Sequence, residues 1–125
     1  MARVTLTPVN LAGTAGLTLP TSGAQALTGF TGVNFVNNGL VFLAVYVGSA
    51  GACNMDPWIG GQVQGQAYPT NPSPFRKALA NSTNYLFGNW SAKDFTQLDG
   101  TGLMYIDFSN VTGNSVTLYQ LIPTP

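Results

Sequence analysis

The chain has 125 residues, of which 45% are apolar and only 6% are charged, and its four basic and four acidic side chains give a formal net charge of zero. This length suits one domain with a single core, and the apolar fraction is too high for a disordered chain. Without clustered Lys and Arg, binding to nucleic acid or to an anionic membrane is disfavoured. Because so little charge favours association, we expect a partner or further copies to cover much of the surface.

The first half of the chain alternates apolar and polar residues at the period of a β-strand. This pattern predicts strands over residues 4–9, 17–19, 24–30 and 33–36. Asn38-Gly39 is a strong signal for a tight turn, because both residues tolerate positive φ. The eight apolar residues 40–47 that follow predict a strand buried on both faces at the centre of the core, and residues 52–55 predict another.

The second half begins with a segment rich in Gly, Pro and aromatic residues at about 53–76, which resembles an insertion. Prolines within 69–74 predict a loop, and residues 76–80 suggest one helical turn. Further strands are predicted over 85–90, 103–109 and 115–122. In the strand predicted over 103–109, Met104, Ile106 and Phe108 face the core. Asp107 points away from the core, beside Tyr105. We therefore expect one all-β domain over 1–125, an antiparallel β-sandwich or small barrel of about seven to nine short strands.

The residue types that most enzymes need are scarce. There is no His and no Glu, and the one cysteine, Cys53, excludes an internal disulfide. A catalytic triad in its ordinary form needs a histidine, and no metal-binding or phosphate-binding motif occurs. Two of the four aspartates could serve a glycoside hydrolase, but their spacing indicates no pocket. We therefore predict no enzyme activity, no metal site and no cofactor, and a binding or structural role instead.

Aromatic residues outside the clean strands are the remaining candidates for a functional surface. Trp58, Tyr68, Phe75 and Trp90 lie in the Gly/Pro-rich middle of the chain. Trp, Tyr and Arg are enriched where proteins bind one another, although such residues can equally cap the ends of a sandwich core. We expect one or two of the four to lie at an interface.

Three segments of the chain resemble the small capsid decoration (cement or auxiliary) proteins of tailed bacteriophages. They are Val4-Thr-Leu-Thr7 with the Gly16-Leu-Thr-Leu-Pro-Thr-Ser-Gly23 stretch, the turn and strand over 37–45, and residues 102–113 running into Val116-Thr-Leu118. Together they cover about half of the chain. The segment between Cys53 and Phe75 departs from the family pattern because it is longer.

The resemblance implies a virion structural protein that binds the outside of an assembled capsid and clamps neighbouring major capsid subunits. It also implies self-association, as a homotrimer at local threefold positions. On this hypothesis the chain binds through N-terminal residues including Arg3 and through the 53–76 region with Arg76. No signal peptide is recognisable at the N-terminus, so we expect synthesis in the cytoplasm of the bacterial host and a final location on the capsid surface.

Two alternatives stay open at this point. A carbohydrate-binding module, or a head-fibre or tail adhesion domain, predicts exposed and coplanar Trp58 and Trp90. A head–tail connector or tail component predicts sixfold or twelvefold rings.

Overall fold

Two mixed β-sheets enclose one hydrophobic core. The computed structural model describes residues 3–10, 24–58, 62–63, 66–67, 75–88, 90–96 and 102–120. The elements in chain order are β1 (Val4–Thr5), β2 (Val9–Asn10), β3 (Gln25–Ala26), β4 (Gly32–Val36), β5 (Val41–Tyr46), β6 (Cys53–Pro57), β7 (Gln62–Val63), β8 (Gln66–Ala67), β9 (Lys77–Leu79), β10 (Asn84–Gly88), the helical turn α1 (Ala92–Phe95), β11 (Leu103–Phe108) and β12 (Ser115–Gln120).

Sheet one has the strand order β1-β4-β11-β6-β9, and sheet two has the order β10-β5-β12-β2. Strand β3 joins sheet two by pairing with the start of β12, whereas β2 pairs with the end of β12. Strands β7 and β8 form a separate two-stranded sheet. The predicted all-β sandwich is confirmed, and the sheets in the described part of the chain do not close into a barrel.

Two of the strand pairings are parallel, namely β1 with β4 and β2 with β12. The alternation over residues 4–9 predicts one strand, but the structure has two strands of two residues each, one in each sheet. The residues between them carry the chain from one sheet to the other, and Leu6 is buried there. Strands this short leave no clear sequence signal, which explains why the strand count exceeds the prediction.

The core lies between the two sheets and follows the predicted period of two. Strand β11 contributes Met104, Ile106 and Phe108, and β12 contributes Val116 and Leu118. Burying one such side chain contributes about 1.5–3 kcal/mol before the entropy of ordering it is counted. No helix among the described residues has the length and apolarity needed to cross a membrane.

Strand β5 is buried on both faces, as the run of eight apolar residues predicts. Its Leu43 and Val45 face the core, and its Ala44 and Tyr46 pack on the opposite face of sheet two with Tyr119. The hydroxyl groups of Tyr46 and Tyr119 lie 3.3 Å apart, within hydrogen-bonding distance. The turn signal at Asn38-Gly39 is also correct, since Gly39 has a φ of 82°. The turn carries the chain between sheets, because β4 belongs to sheet one and β5 to sheet two.

The helical turn suggested for residues 76–80 is wrong. Residues Lys77–Leu79 form the edge strand β9, paired with Cys53–Met55 of β6. Leu79 is buried in the core, so the tertiary pairing overrides a weak local helical preference. The start of the 53–76 segment is therefore part of sheet one.

Asn114 joins two turns at one end of the sandwich. Its side chain is buried; its carbonyl oxygen accepts a hydrogen bond from the Gly48 N–H, and its amide donates to the carbonyl oxygens of Gly51 and Asn110. A Cβ on Gly51 would overlap the Asn114 Oδ1 atom. The position of the Asn114 side chain therefore requires glycine at position 51.

Candidate interface on the outer face of sheet one

Four charged side chains lie in one line across all five strands of sheet one. Asp107 on β11 is the direct partner of Asp56 on β6 and of Gly32 on β4. One residue beyond the paired positions of β1 with β4 and of β9 with β6, Arg3 lies beside Gly32 and Arg76 lies opposite Asp56. We call Arg3, Gly32, Asp107, Asp56 and Arg76 the charged row.

Arg3 and Asp107 form one end of the charged row. The Arg3 Nε atom donates to Asp107 Oδ1 at 2.7 Å, and Nη2 donates to Oδ2 at 2.9 Å. This two-bond geometry is the strong form of an arginine–carboxylate pair. The side chains of Arg3 and Asp107 are 23% and 32% exposed, so the ion pair is partly buried and still reached by water.

Two aromatic rings complete the surroundings of the Arg3 guanidinium. Its central carbon lies 4.5 Å from the ring centroid of Trp58 and 4.5 Å from that of Tyr105. The rings meet edge to face, with centroids 5.5 Å apart. Trp58 Nε1 also donates to Asp107 Oδ2 at 2.8 Å. We call Trp58, Tyr105 and Asp107 the arginine site, since together they hold a guanidinium by charge, hydrogen bonds and cation–π contact.

Gly32 gives Arg3 access to Asp107. It lies on β4, between the strand that follows Arg3 and the strand that carries Asp107. A Cβ at position 32 would overlap the carbonyl oxygen of Ile106 and would lie 2.8 Å from Asp107 Oδ1. Only glycine leaves space for the ion pair to form across the intervening strand.

Arg76 and Asp56 form the other end of the charged row. Arg76 Nε donates to Asp56 Oδ1 at 2.7 Å, and Nη2 donates to Oδ2 at 2.9 Å. These hydrogen bonds raise the pKa of the Arg76 guanidinium above its ordinary value, against a smaller opposing effect of desolvation. The Asp56 side chain is only 8% exposed, and a carboxylate buried to this extent needs such a partner.

The predicted interface residues have four different outcomes. Arg3, Trp58 and Arg76 lie on the outer face of sheet one, as described above. Trp90 instead packs against the core, with its ring centroid 6.0 Å from that of the buried Phe35. Phe75 is 54% exposed and meets Phe95 edge to face at 5.3 Å. Tyr68 lies outside the described residues.

Tyr105, Asp107 and Asp56 were not predicted as site residues. The alternation in β11 places Tyr105 and Asp107 on the outer face, which was a usable signal. Their partners could not be assigned, because the order of strands β1, β4, β11 and β6 is not encoded in local patterns. The cation–π contact and both ion pairs depend on that order.

Hydrogen bonds and cation–π contacts hold the side chains of this face together. Each carboxylate of the charged row accepts two hydrogen bonds from an arginine. No group of three or more His, Cys, Asp or Glu residues that could hold a metal occurs in the part of the chain that the structure describes. A half-buried patch of Arg, Trp and Tyr has the composition typical of protein interfaces.

In comparisons with known proteins, the sequence matches no protein-family model and no curated protein, and the fold matches no solved structure.

Proposed function

We propose that the chain is a virion structural protein of a tailed bacteriophage. It binds the outer surface of the capsid as a decoration, or cement, protein and reinforces contacts between major capsid subunits. Its partners are the major capsid protein and further copies of itself in a homotrimer, and it uses no cofactor, nucleic acid or membrane. It is made in the cytoplasm of the bacterial host and ends on the capsid surface.

The observation that carries the proposal is the charged row. Half of the charged side chains of the chain, Arg3, Asp56, Arg76 and Asp107, neutralise one another on a single face. Such a surface can be covered by a partner at low cost, because few unpaired ions must lose their water.

The same face offers anchors for a partner. Trp58 and Tyr105 are half-buried and fixed by Arg3 and Asp107, so little side-chain entropy is lost on binding. An interface of modest strength is sufficient on a capsid, since the copies of a linked oligomer bind with a high effective concentration. We therefore assign the outer face of sheet one to the capsid contact.

A binding experiment with capsids tests this assignment. Heads of the phage that carries this gene, assembled without the protein, are mixed with purified wild-type or variant chain and sedimented. We expect wild type to saturate the heads and Tyr105→Ala to bind about tenfold more weakly or worse. Leu86→Ala serves as the matched control, because Leu86 is 63% exposed on sheet two and should leave binding unchanged. Heads that bind no wild-type chain would contradict the proposal.

The positions of Trp58 and Trp90 do not support the alternative of a carbohydrate-binding module. It needs Trp58 and Trp90 as free, coplanar platforms. The guanidinium of Arg3 lies over Trp58, and Trp90 packs against the core through Phe35.

A further inference from the structure

We propose that the arginine site also accepts Arg3 from a second copy of the chain, so that N-terminal segments can be exchanged between neighbouring copies. Here the N-terminal segment means residues 3–10. The inference deepens the proposed function, which supplies the setting where copies lie side by side. Its chemistry can be tested without any capsid.

The arginine site belongs entirely to the body of the domain. Trp58 follows β6, and Tyr105 and Asp107 lie on β11, so none of its residues comes from the N-terminal segment. The site supplies a carboxylate for two guanidinium hydrogen bonds and two aromatic rings for cation–π contact. A lysine ammonium cannot reproduce the two-bond geometry, so the site is selective for arginine.

Among the described residues, the N-terminal segment is attached through two short strands, the buried Leu6 and the Arg3–Asp107 ion pair. Its two strands have two residues each, and both pair in parallel with strands of the body. Between them, Leu6 is buried and its N–H donates to the Asn34 carbonyl oxygen at 2.9 Å. Strands this short are individually weak, so Arg3 and Leu6 supply much of the specificity.

Among the described residues, an open cleft lies between the segment and part of sheet two. This cleft of about 210 Å³ lies between the segment and β12, lined by Leu6 and Val9 on one side and by Thr117 and Leu118 on the other. Releasing the segment breaks the Arg3–Asp107 ion pair and exposes Leu6, and the same segment from a second copy would restore both contacts.

The same segment from a second copy would make the same contacts. Exchange of identical elements leaves the contact energy nearly unchanged. The local concentration of chains therefore decides whether a segment binds its own domain or that of a second copy. Copies held next to one another on a surface would thus be linked by their N-terminal segments, whereas dilute chains keep Arg3 in their own site.

The first test adds the segment as a peptide. The ¹⁵N-labelled full-length Arg3→Ala protein is titrated with a peptide of residues 1–10, at concentrations up to the order of 1 mM, which matches the effective concentration of a tethered segment. The indole N–H resonance of Trp58 reports on the site because that group binds Asp107. The control peptide carries Arg3→Ala. We expect the native peptide to shift this resonance and to bind about tenfold or more tightly than the control.

The second test uses full-length chains of opposite charge. Arg3→Asp and Asp107→Arg each place like charges together within one chain, but a mixture of the two can restore the ion pair between chains. We expect complexes containing both chains in native mass spectra of the mixture, and none for either variant alone. The double variant Arg3→Asp/Asp107→Arg restores the pair within one chain and should behave as wild type.

The outcomes are decisive in either direction. A peptide that leaves the Trp58 resonance unmoved, or two peptides that bind equally, would overturn the proposal, as would a mixture without complexes when the double variant is folded. Because neither test involves heads, failure here leaves the capsid proposal standing. A chain that exchanges segments but binds no heads would refute only the capsid assignment.

Discussion

Asp56 and Asp107 face each other directly across β6 and β11, and each carboxylate is bound by a different arginine. Directly opposed side chains in a sheet have Cβ atoms about 4.5–5.5 Å apart, and like charges in such a pair destabilise the sheet. Arg3 reaches Asp107 from one edge of sheet one, and Arg76 reaches Asp56 from the other. The two arginines thus fix both edges of the sheet to its centre.

Replacing Gly32 should break one end of this arrangement. Gly32→Ala places a methyl group against the Ile106 carbonyl and Asp107 Oδ1, so β4 and β11 must separate or shift. We expect a loss of about 2 kcal/mol or more in the free energy of unfolding, measured by urea denaturation. Arg3→Ala, which removes the ion pair without the overlap, is the comparison; equal stability of Gly32→Ala and wild type would contradict the geometry.

Removing the two arginines should have unequal effects. Arg3→Ala should cost about 1–3 kcal/mol, since it removes two hydrogen bonds and the cation–π contacts. Arg76→Ala should destabilise more, because water reaches Asp56, whose side chain is 8% exposed, less easily than Asp107 at 32%. Chemical denaturation of both variants tests the order. A larger loss for Arg3→Ala would show that exposure does not control the strength of these pairs.

The buried Asn114 side chain should be far more important than an exposed asparagine with a similar role. Asn114→Ala removes hydrogen bonds to three backbone groups and leaves a void, so we expect a loss of about 2–4 kcal/mol. Asn81 is exposed and accepts one hydrogen bond from the Ala52 N–H at 2.7 Å, so Asn81→Ala should cost less than about 1 kcal/mol. Thermal and urea unfolding distinguish the two; similar losses would contradict this ranking.

Cys53 should make the fold less stable at alkaline pH. Burial raises the pKa of its thiol, with a smaller opposing effect from the Asn110 backbone. A raised pKa means that folding favours the protonated thiol. The contribution of the protonated thiol to the free energy of unfolding is therefore complete below the pKa of the thiol in the unfolded chain, about 8.5. This contribution is lost as the pH rises through the pKa of the thiol in the folded protein.

The Cys53→Ala variant isolates this effect. The stability difference between wild type and Cys53→Ala should change in favour of the variant as pH rises from about 8 to about 10. Native wild type should also react slowly with iodoacetamide, and much faster in urea. A stability difference that is independent of pH would rule out the partly buried Cys53 thiol as its source.

Local sequence patterns predicted the core strands, but they did not predict the contacts that form the site. The alternation in Met104, Ile106 and Phe108 and the apolar run through Leu43 and Val45 correctly indicated which faces are buried. These signals depend only on neighbouring residues, whose side chains alternate between the faces of a strand.

The arginine site depends on pairings between distant parts of the chain. Arg3 and Asp107 are 104 positions apart, and they meet only because β1 adds to β4 in parallel and β4 pairs with β11. No local pattern specifies that order, and the two-residue strands are too short to show a period. For the same reason, Trp58 and Trp90 look equivalent in the sequence, although one lies on the outer face of sheet one and the other packs against the core.

The most direct measurement is a cryo-electron microscopy map of phage heads with and without the bound chain. We expect additional β-sandwich density on the outer capsid surface at local threefold positions, with Trp58 and Tyr105 of sheet one against the major capsid protein. Heads that carry no such density at saturating protein would contradict the proposed function. Density that contacts the capsid only through sheet two would contradict the assigned face.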